Sequence, residues 1–436
     1  MRLPKPEFMQ QSAPLSGPGP EGGVLEKLGP GLITGAADDD PSGIATYTQA
    51  GASFGYGLGW TLMITFPLMV GIQLASARIG RTTGRGLSAA FAKMWPTPVV
   101  ACAVLLLVLA NVVNLAADLS AMAEVSRVMI GGPDALYALG FGVVSLLLQA
   151  WLPYRRYVRI LKWLTLALLS YAGVAVVAHV DWSAALRGLV LPRMQADAES
   201  VKMVVAILGT TISPYLFFWQ ASQEVEEIER VRPDRPLRKA PEQGPVHLRR
   251  LRIDTWVGMG FSNAIAFFMI LAAAATLHVH GLRVQSTVEA AQALKPIAGE
   301  AAFALFALGI LGTGLLALPV LAGSAAYACA ELLGVRSGLE KPVGSAPAFY
   351  AILAAAMIVG TGISLSGFDP MKALIWSAVV NSVMATPIMA GVMLAACSRK
   401  LMGPFVLPMV WRVLGWLATG AMAAACLALA WTSWRA

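Results

Sequence analysis

The sequence predicts an all-α polytopic membrane protein of about eleven spans, with the first and sixth spans broken. Three observations predict it. Of 436 residues, 57% are hydrophobic and 13% are charged, whereas a soluble chain carries about 25% charged residues. The apolar residues fall in stretches long enough for a bilayer core of about 30 Å, which takes about 20 residues of helix. Two of those stretches, the first and the sixth, carry a polar residue followed by proline in mid-span, Asp40-Pro41 and Ser213-Pro214.

The elements follow in order. Residues 1–26 begin "MRLPKPEFMQQSAPLSGPGPEGGV", rich in Pro, Gly and Ser and without the apolar core of a signal peptide. They read as a disordered cytoplasmic tail. Five spans occupy 27–180, at about 28–54, 57–77, 98–125, 135–153 and 160–179. Residues 181–200 form an extracellular loop. Its "DWSAALRGLVLPRM" has apolar residues at helical spacing and a Trp, the pattern of a short interfacial helix. Five more spans fill 201–397, at about 201–224, 255–279, 300–333, 347–366 and 372–396, with a basic cytoplasmic loop at 226–252. An eleventh, at about 409–433, lies in the C-terminal segment 398–436.

Loop charge sets the orientation. Cations follow the second span (Arg78, Arg81, Arg85, Lys93), the fourth (Arg155, Arg156, Arg159, Lys162), the sixth ("RVRPDRPLRKAPEQGPVHLRRLR") and the tenth (Arg399, Lys400). The loop after the first span has no charge, and after the ninth Asp369 is balanced by Lys372. The positive-inside rule then places the N-terminus in the cytoplasm and, with an odd count, the C-terminus outside the plasma (inner) membrane. These loops account for the net charge of +8, so no nucleic-acid partner is implied. The basic 226–252 loop reads as a solvated topology signal, with attraction of anionic lipid as the alternative.

Other chemistries find no support. Cys102, Cys329, Cys397 and Cys426 are scattered, with no CxxC pair for zinc or a disulfide framework. There is no HExxH helix, GxSxG elbow or nucleotide-binding glycine loop, so an enzyme is not predicted and no cofactor is expected. His179, His247, His278 and His280 fall in or beside loops, where a solvated role is expected.

The breaks carry the functional signal. Proline in mid-span removes a backbone hydrogen bond, and freed groups are tolerated at membrane depth only inside protein or along a cavity. Span one breaks at Asp40-Pro41-Ser42-Gly43 and span six at Ser213-Pro214. Each opens a possible five-helix unit. An odd-numbered repeat must be inverted across the membrane, the pattern of secondary transporters with a midplane site. Asp40 before Pro41 is a good N-cap, but capping needs one Asp and the chain supplies Asp38, Asp39 and Asp40. Intramembrane carboxylates signal function. Together with unwound carbonyls they are hard oxygen ligands suited to divalent cations. The alternative starts the helix at Pro41 and leaves the aspartates in a loop, with "LGPGLITGAA" unexplained.

"LGPGLITGAADDDPSGIATYTQAGASFGY" resembles the first helix of the Nramp family of divalent metal transporters, whose usual motif is Asp-Pro-Gly-Asn between a Gly-Pro-Gly-Leu stretch and a Gly-x-x-Phe-Gly-Tyr turn. "LGTTISPYLFFWQAS" resembles its sixth helix, usually Met-Pro-His, and "NLAADLSAMAEV" its third. The resemblance covers about residues 27–396 and marks a divergent member, similar to the branch of magnesium carriers. It implies a LeuT-type 5+5 inverted repeat and a divalent metal as substrate. By the resemblance, Asp40 matches the metal-binding Asp and Thr210 the residue that gives a backbone carbonyl. The family's Asn falls at Gly43, its Met at Ser213 and its His at Tyr215. A thioether is a soft ligand. Losing it while gaining Asp38 and Asp39 favours a harder or more hydrated ion, Mg²⁺ or Mn²⁺.

Asp39 and Asp38 are then direct or water-mediated partners of Asp40, and Ser213 lines the pocket. Ser42, Gly43 and Tyr215 fall in the cavity, and Gln220 and Gln223 are candidates for it. The Gln of standard members falls at Ala378. Asn381, one turn on, either substitutes or ties two helices together. Glu224 reads as a cap of its span. By the resemblance a proton pathway would use Asp118, and Glu124 lies further along the same helix. The family's second carboxylate falls at Ala121, however, and the ninth span has no Arg, so coupling to protons is not expected. The alternative function is a LeuT-fold transporter of a small organic cation or amino acid, its pocket lined by Tyr215, Phe217, Phe218 and Trp219. The expected assembly is a monomer or weak homo-oligomer in the lipid bilayer.

Overall fold

Proline marks where helices begin. Pro41, Pro214, Pro347 and Pro370 each open a helix, at the position where a missing N–H leaves nothing unpaired. The computed structural model describes residues 30–152, 169, 172–173, 180–192, 197–231, 233–281, 287–367 and 369–435. The 1–26 tail lies outside these residues, as does the fifth span at about 160–179 apart from 169, 172 and 173.

The helices, in order, are α1 Pro30–Asp38, α2 Pro41–Phe54, α3 Trp60–Thr83, α4 Leu87–Phe91, α5 Thr97–Ile130, α6 Asp134–Trp151, α7 Trp182–Val190, α8 Ala198–Thr211, α9 Pro214–Arg230, α10 Gly244–Ala273, α11 Thr287–Leu333, α12 Pro347–Ser364, α13 Pro370–Cys397 and α14 Met409–Arg435. Among the described residues nine helical segments are long and apolar enough to cross a membrane. The first span is not one of them. Its halves have 9 and 14 residues, about 14 and 21 Å of helix, so it crosses only as a pair.

Two groups of helices build the protein. In one, α10 packs on α1, α2 and α3, and α9 packs on α3. In the other, α5 packs on α11, α12 and α13. The broken spans lie between the groups, since α2 and α8 both touch α13. Small residues allow the closest approaches. A Cβ at Gly35, Gly80 or Gly209 would meet the carbonyl oxygen of Gly258, Ala221 or Ala378.

Several boundaries differ from the sequence reading. The basic 226–252 segment is largely helical: α9 runs to Arg230 and α10 starts at Gly244. The charges that suggest a loop are used in pairing. Arg250 meets Glu224 at 2.7 Å and Glu227 at 3.5 Å, and Arg81 pairs with Asp234. His247 also turns inward, its ring against Arg81. The remaining loop is pinned to the end of α3, Leu237 N–H donating to Arg81 O and Arg238 N–H to Thr82 O, both at 3.2 Å. The segment after Asp181 does form a short helix, α7. Its N-cap Asp181 accepts from Ala184 N–H at 2.9 Å and Ser183 Oγ–H at 2.8 Å, and these bonds hold its carboxyl below the usual range.

Candidate functional site

Each break frees one carbonyl for a reason visible in the chain. A helical carbonyl accepts from the N–H four residues later. For Ala37 that residue is Pro41, and for Thr210 it is Pro214, neither of which has an N–H. The Ala37 carbonyl instead faces the Tyr215 hydroxyl at 3.3 Å. The Thr210 carbonyl accepts from the Ser213 hydroxyl at 2.9 Å, leaving a lone pair available. Both α1 and α8 end here, and helix C-termini carry partial negative charge that favours cations.

Asp40 sits at the junction, 2% exposed. Its Oδ1 accepts from Gly43 N–H at 2.8 Å, capping α2. Its Oδ2 accepts from Tyr215 Oη–H at 3.1 Å, a contact made across the two breaks. Gly43 brings the segments together: a Cβ there would lie 3.2 Å from Thr210 Oγ1 and 3.3 Å from the Asp38 carbonyl. The Tyr47 and Thr211 hydroxyls share a bond of 2.8 Å beside them.

Asp38 and Asp39 face another way. Ser262 on α10 donates to Asp38 Oδ2 at 2.7 Å and lies 3.2 Å from Asp39 Oδ1. Asp38 Oδ1 and Asp39 Oδ2 find no hydrogen-bond partner among the described residues. Unpaired charge of this kind is costly when buried. Among the described residues no three His, Cys, Asp or Glu side chains converge as a metal cluster. A cation at the gap would therefore take a carboxylate together with carbonyl and hydroxyl oxygens.

The structure thus brings together Asp40, Ser42, Gly43, Thr210, Ser213 and Tyr215, with the Asp38 and Asp39 carboxylates turned to Ser262 beside them. Ser213 Oγ–H points back to the carbonyls of Gly209 (2.7 Å) and Thr210 rather than into the gap. Ser42 Oγ–H reaches the Leu374 carbonyl of α13 at 3.2 Å. Asp118 is wholly buried on α5, which packs against α2, and neither of its carboxylate oxygens has a hydrogen-bond partner among the described residues. Glu124 is buried further along α5. Asn381 accepts from Asn114 Nδ2–H at 2.9 Å and ties α13 to α5. Gln220 is buried and accepts from Thr34 Oγ–H at 2.5 Å, on the α1 side of the break. Gln223 reaches Tyr327 at 3.4 Å, on α11. Glu224 is no cap: it is wholly buried beside Arg250. Ala37 and Ser262 were not apparent as site residues. The four-residue spacing to Pro41 signals Ala37, and nothing local signals Ser262.

Known proteins resemble this chain over most of its length. The sequence model of one family, described as natural resistance-associated macrophage protein-like (Nramp), matches residues 31–432. A protein of Deinococcus radiodurans named divalent metal cation transporter MntH is 29% identical over 409 residues, 90% of this chain and 87% of that one. A protein of the same name from Verminephrobacter eiseniae is 26% identical over 393 residues, 88% of this chain and 83% of that one. Among solved structures, a manganese transporter of Eremococcus coleocola superposes with a TM-score of 0.73 at 17% identity, covering 94% of this chain and 87% of that one. Mhp1, a nucleobase-cation-symport-1 family transporter, superposes with a TM-score of 0.55 at 13% identity, covering 94% and 93%. These superpositions fix the fold as the LeuT type of broken-helix transporters.

Proposed function

This chain belongs to the Nramp family, and from that premise we propose that it is a secondary transporter importing a divalent metal cation, Mg²⁺ or Mn²⁺, through the junction of its two broken helices. The observation that carries the reading is the buried Asp40 carboxylate and the proline-freed Ala37 carbonyl meeting at Tyr215, with Thr210, whose carbonyl is freed by Pro214, packed against Gly43 beside them. Asp40 is the principal ligand, and Thr210 supplies a carbonyl. Asp38 and Asp39 act directly or through water. The relatives' names support a divalent cation as the substrate class.

The choice of ion rests on ligand hardness. Ser213 stands where the family usually has Met, and its hydroxyl is spent on backbone carbonyls. The oxygens that remain suit Mg²⁺, which keeps several waters, and also accept Mn²⁺. Transport without protons follows from the missing relay: Tyr215 replaces the family's His, and the ninth span has no Arg. Membrane potential then supplies the drive, about 4.6 kcal/mol per 100 mV for a divalent ion moving inward. The basic loops, and with them the N-terminus, face the cytoplasm.

The test is uptake by proteoliposomes holding a pH dye, with an inside-negative potential. Mg²⁺ or Mn²⁺ entering at constant internal pH is the expected result. Acidification that tracks metal entry would refute uncoupled transport, and no entry of either ion would refute the substrate.

A further inference from the structure

Away from the breaks, the face that carries the basic loops holds a cavity of about 470 Å³. Arg85, Lys93, Arg238, Lys239 and Lys400 line it, and no carboxylate does. They come from different parts of the chain. Arg85 lies just beyond α3, Lys93 just before α5, Arg238 and Lys239 in the α9–α10 loop, and Lys400 just beyond α13. The setting is built. Arg85 N–H donates to Thr83 Oγ1 at 3.1 Å, and Arg238 donates to the Leu401 carbonyl at 3.0 Å.

The positive-inside rule explains cations on this face, but it does not gather them around a hollow without counter-charge. Some other cations of the face are paired, Arg81 with Asp234, Arg230 with Glu227, Arg250 with Glu224 and Lys341 with Glu229, while Arg235, Arg249 and Arg252 have no ion pair among the described residues. None of the five cavity cations has an ion pair among the described residues. The five side chains are exposed and border one hollow, and guanidinium and ammonium groups match the oxygens of a phosphate. The face is also the one that the positive-inside rule sets against anionic headgroups.

We propose that this cavity is a phosphate-recognising site, distinct from the cation pathway, that takes an anionic phosphate-bearing group from a phospholipid headgroup or from solution. A bound phosphate bridges the end of α3 and the α9–α10 loop to the end of α13.

The test is binding, read by thermophoresis on the detergent-purified full chain, so it stands apart from transport. The probes are dihexanoyl phosphatidylglycerol, dihexanoyl phosphatidylcholine and inorganic phosphate. The pocket variant K93Q/K239Q/K400Q is compared with R235Q/R249Q/R252Q, which removes equal charge outside the cavity. Anionic phosphate is expected to bind the unaltered chain, about tenfold more weakly to the pocket variant and within about twofold unchanged to the control. Should the triple variant not fold, K93Q and K400Q singly give the same reading at about threefold each. Binding of phosphatidylglycerol but not of inorganic phosphate assigns the site to lipid, and the reverse assigns it to a soluble phosphate. No binding of either, equal binding of phosphatidylcholine, or equal weakening in both triple variants would overturn the proposal.

Discussion

The two breaks free a carbonyl by the same proline spacing and then diverge. At the first, Asp40 looks forward: its carboxylate caps α2 through Gly43 and also reaches Tyr215. At the second, Ser213 looks backward: its hydroxyl covers the carbonyls of Gly209 and Thr210, and it makes no cap bond to α9. Among the described residues, the side-chain charge at the junction therefore comes from the first break and from Asp118 on α5. The second break contributes carbonyl dipole and shape. A site of this kind holds a cation by charge from one side and by oriented backbone from the other.

The largest test removes the charged side. Asp40→Ala should lower metal uptake by at least about 100-fold, roughly 2.8 kcal/mol. Loss of the cap should cost only about 1 kcal/mol of stability. Uptake and the melting curve, measured together, separate the two; a variant that transports normally breaks the comparison. Next is the packing behind the second break. Gly209→Ala drives a Cβ into the Ala378 carbonyl and should cost about 1–3 kcal/mol. Gly420→Ala, where a Cβ meets nothing within 4 Å, is the control, and equal melting temperatures would show that α8 does not need this approach.

Restoring softness to the second break sharpens the contrast. Ser213→Met should shift the Kd ratio toward Mn²⁺ over Mg²⁺ by about tenfold, or 1.4 kcal/mol. An unchanged ratio, with the protein folded, would mean that this position does not face the ion. The last test falls on the bridge. Tyr215→Phe removes one donor to a buried carboxylate, about 1–3 kcal/mol, and a bound ion should offset the loss. The metal-free protein should therefore lose more thermal stability than the metal-loaded one; equal losses would separate Tyr215 from the ion.

Much of this was legible in the chain because proline acts locally. Pro41 and Pro214 announce both breaks; Thr210 comes through the family resemblance, and Ala37 is passed over although it lies four residues before Pro41. Asp40 is legible as a cap for the same reason. What stayed hidden depends on distant partners. Ser262 meets Asp38 from 224 residues away, and a lone Ser in an apolar helix carries no signal of that. Gln220 and Gln223 look alike in sequence, yet one faces Thr34 and the other Tyr327, since three residues of helix turn the side chain toward a different neighbour. The start of α10 was obscured because Arg250 reads as a loop charge until Glu224 is found beside it.

The most direct measurement is isothermal titration of the purified protein with Mg²⁺, Mn²⁺ and Ca²⁺, the unaltered chain beside Asp40→Ala. The account predicts binding of Mg²⁺ or Mn²⁺ that disappears in a folded Asp40→Ala variant. No heat with any of the three ions from folded protein, or binding that survives the substitution, would contradict it and turn attention to a small organic cation or amino acid.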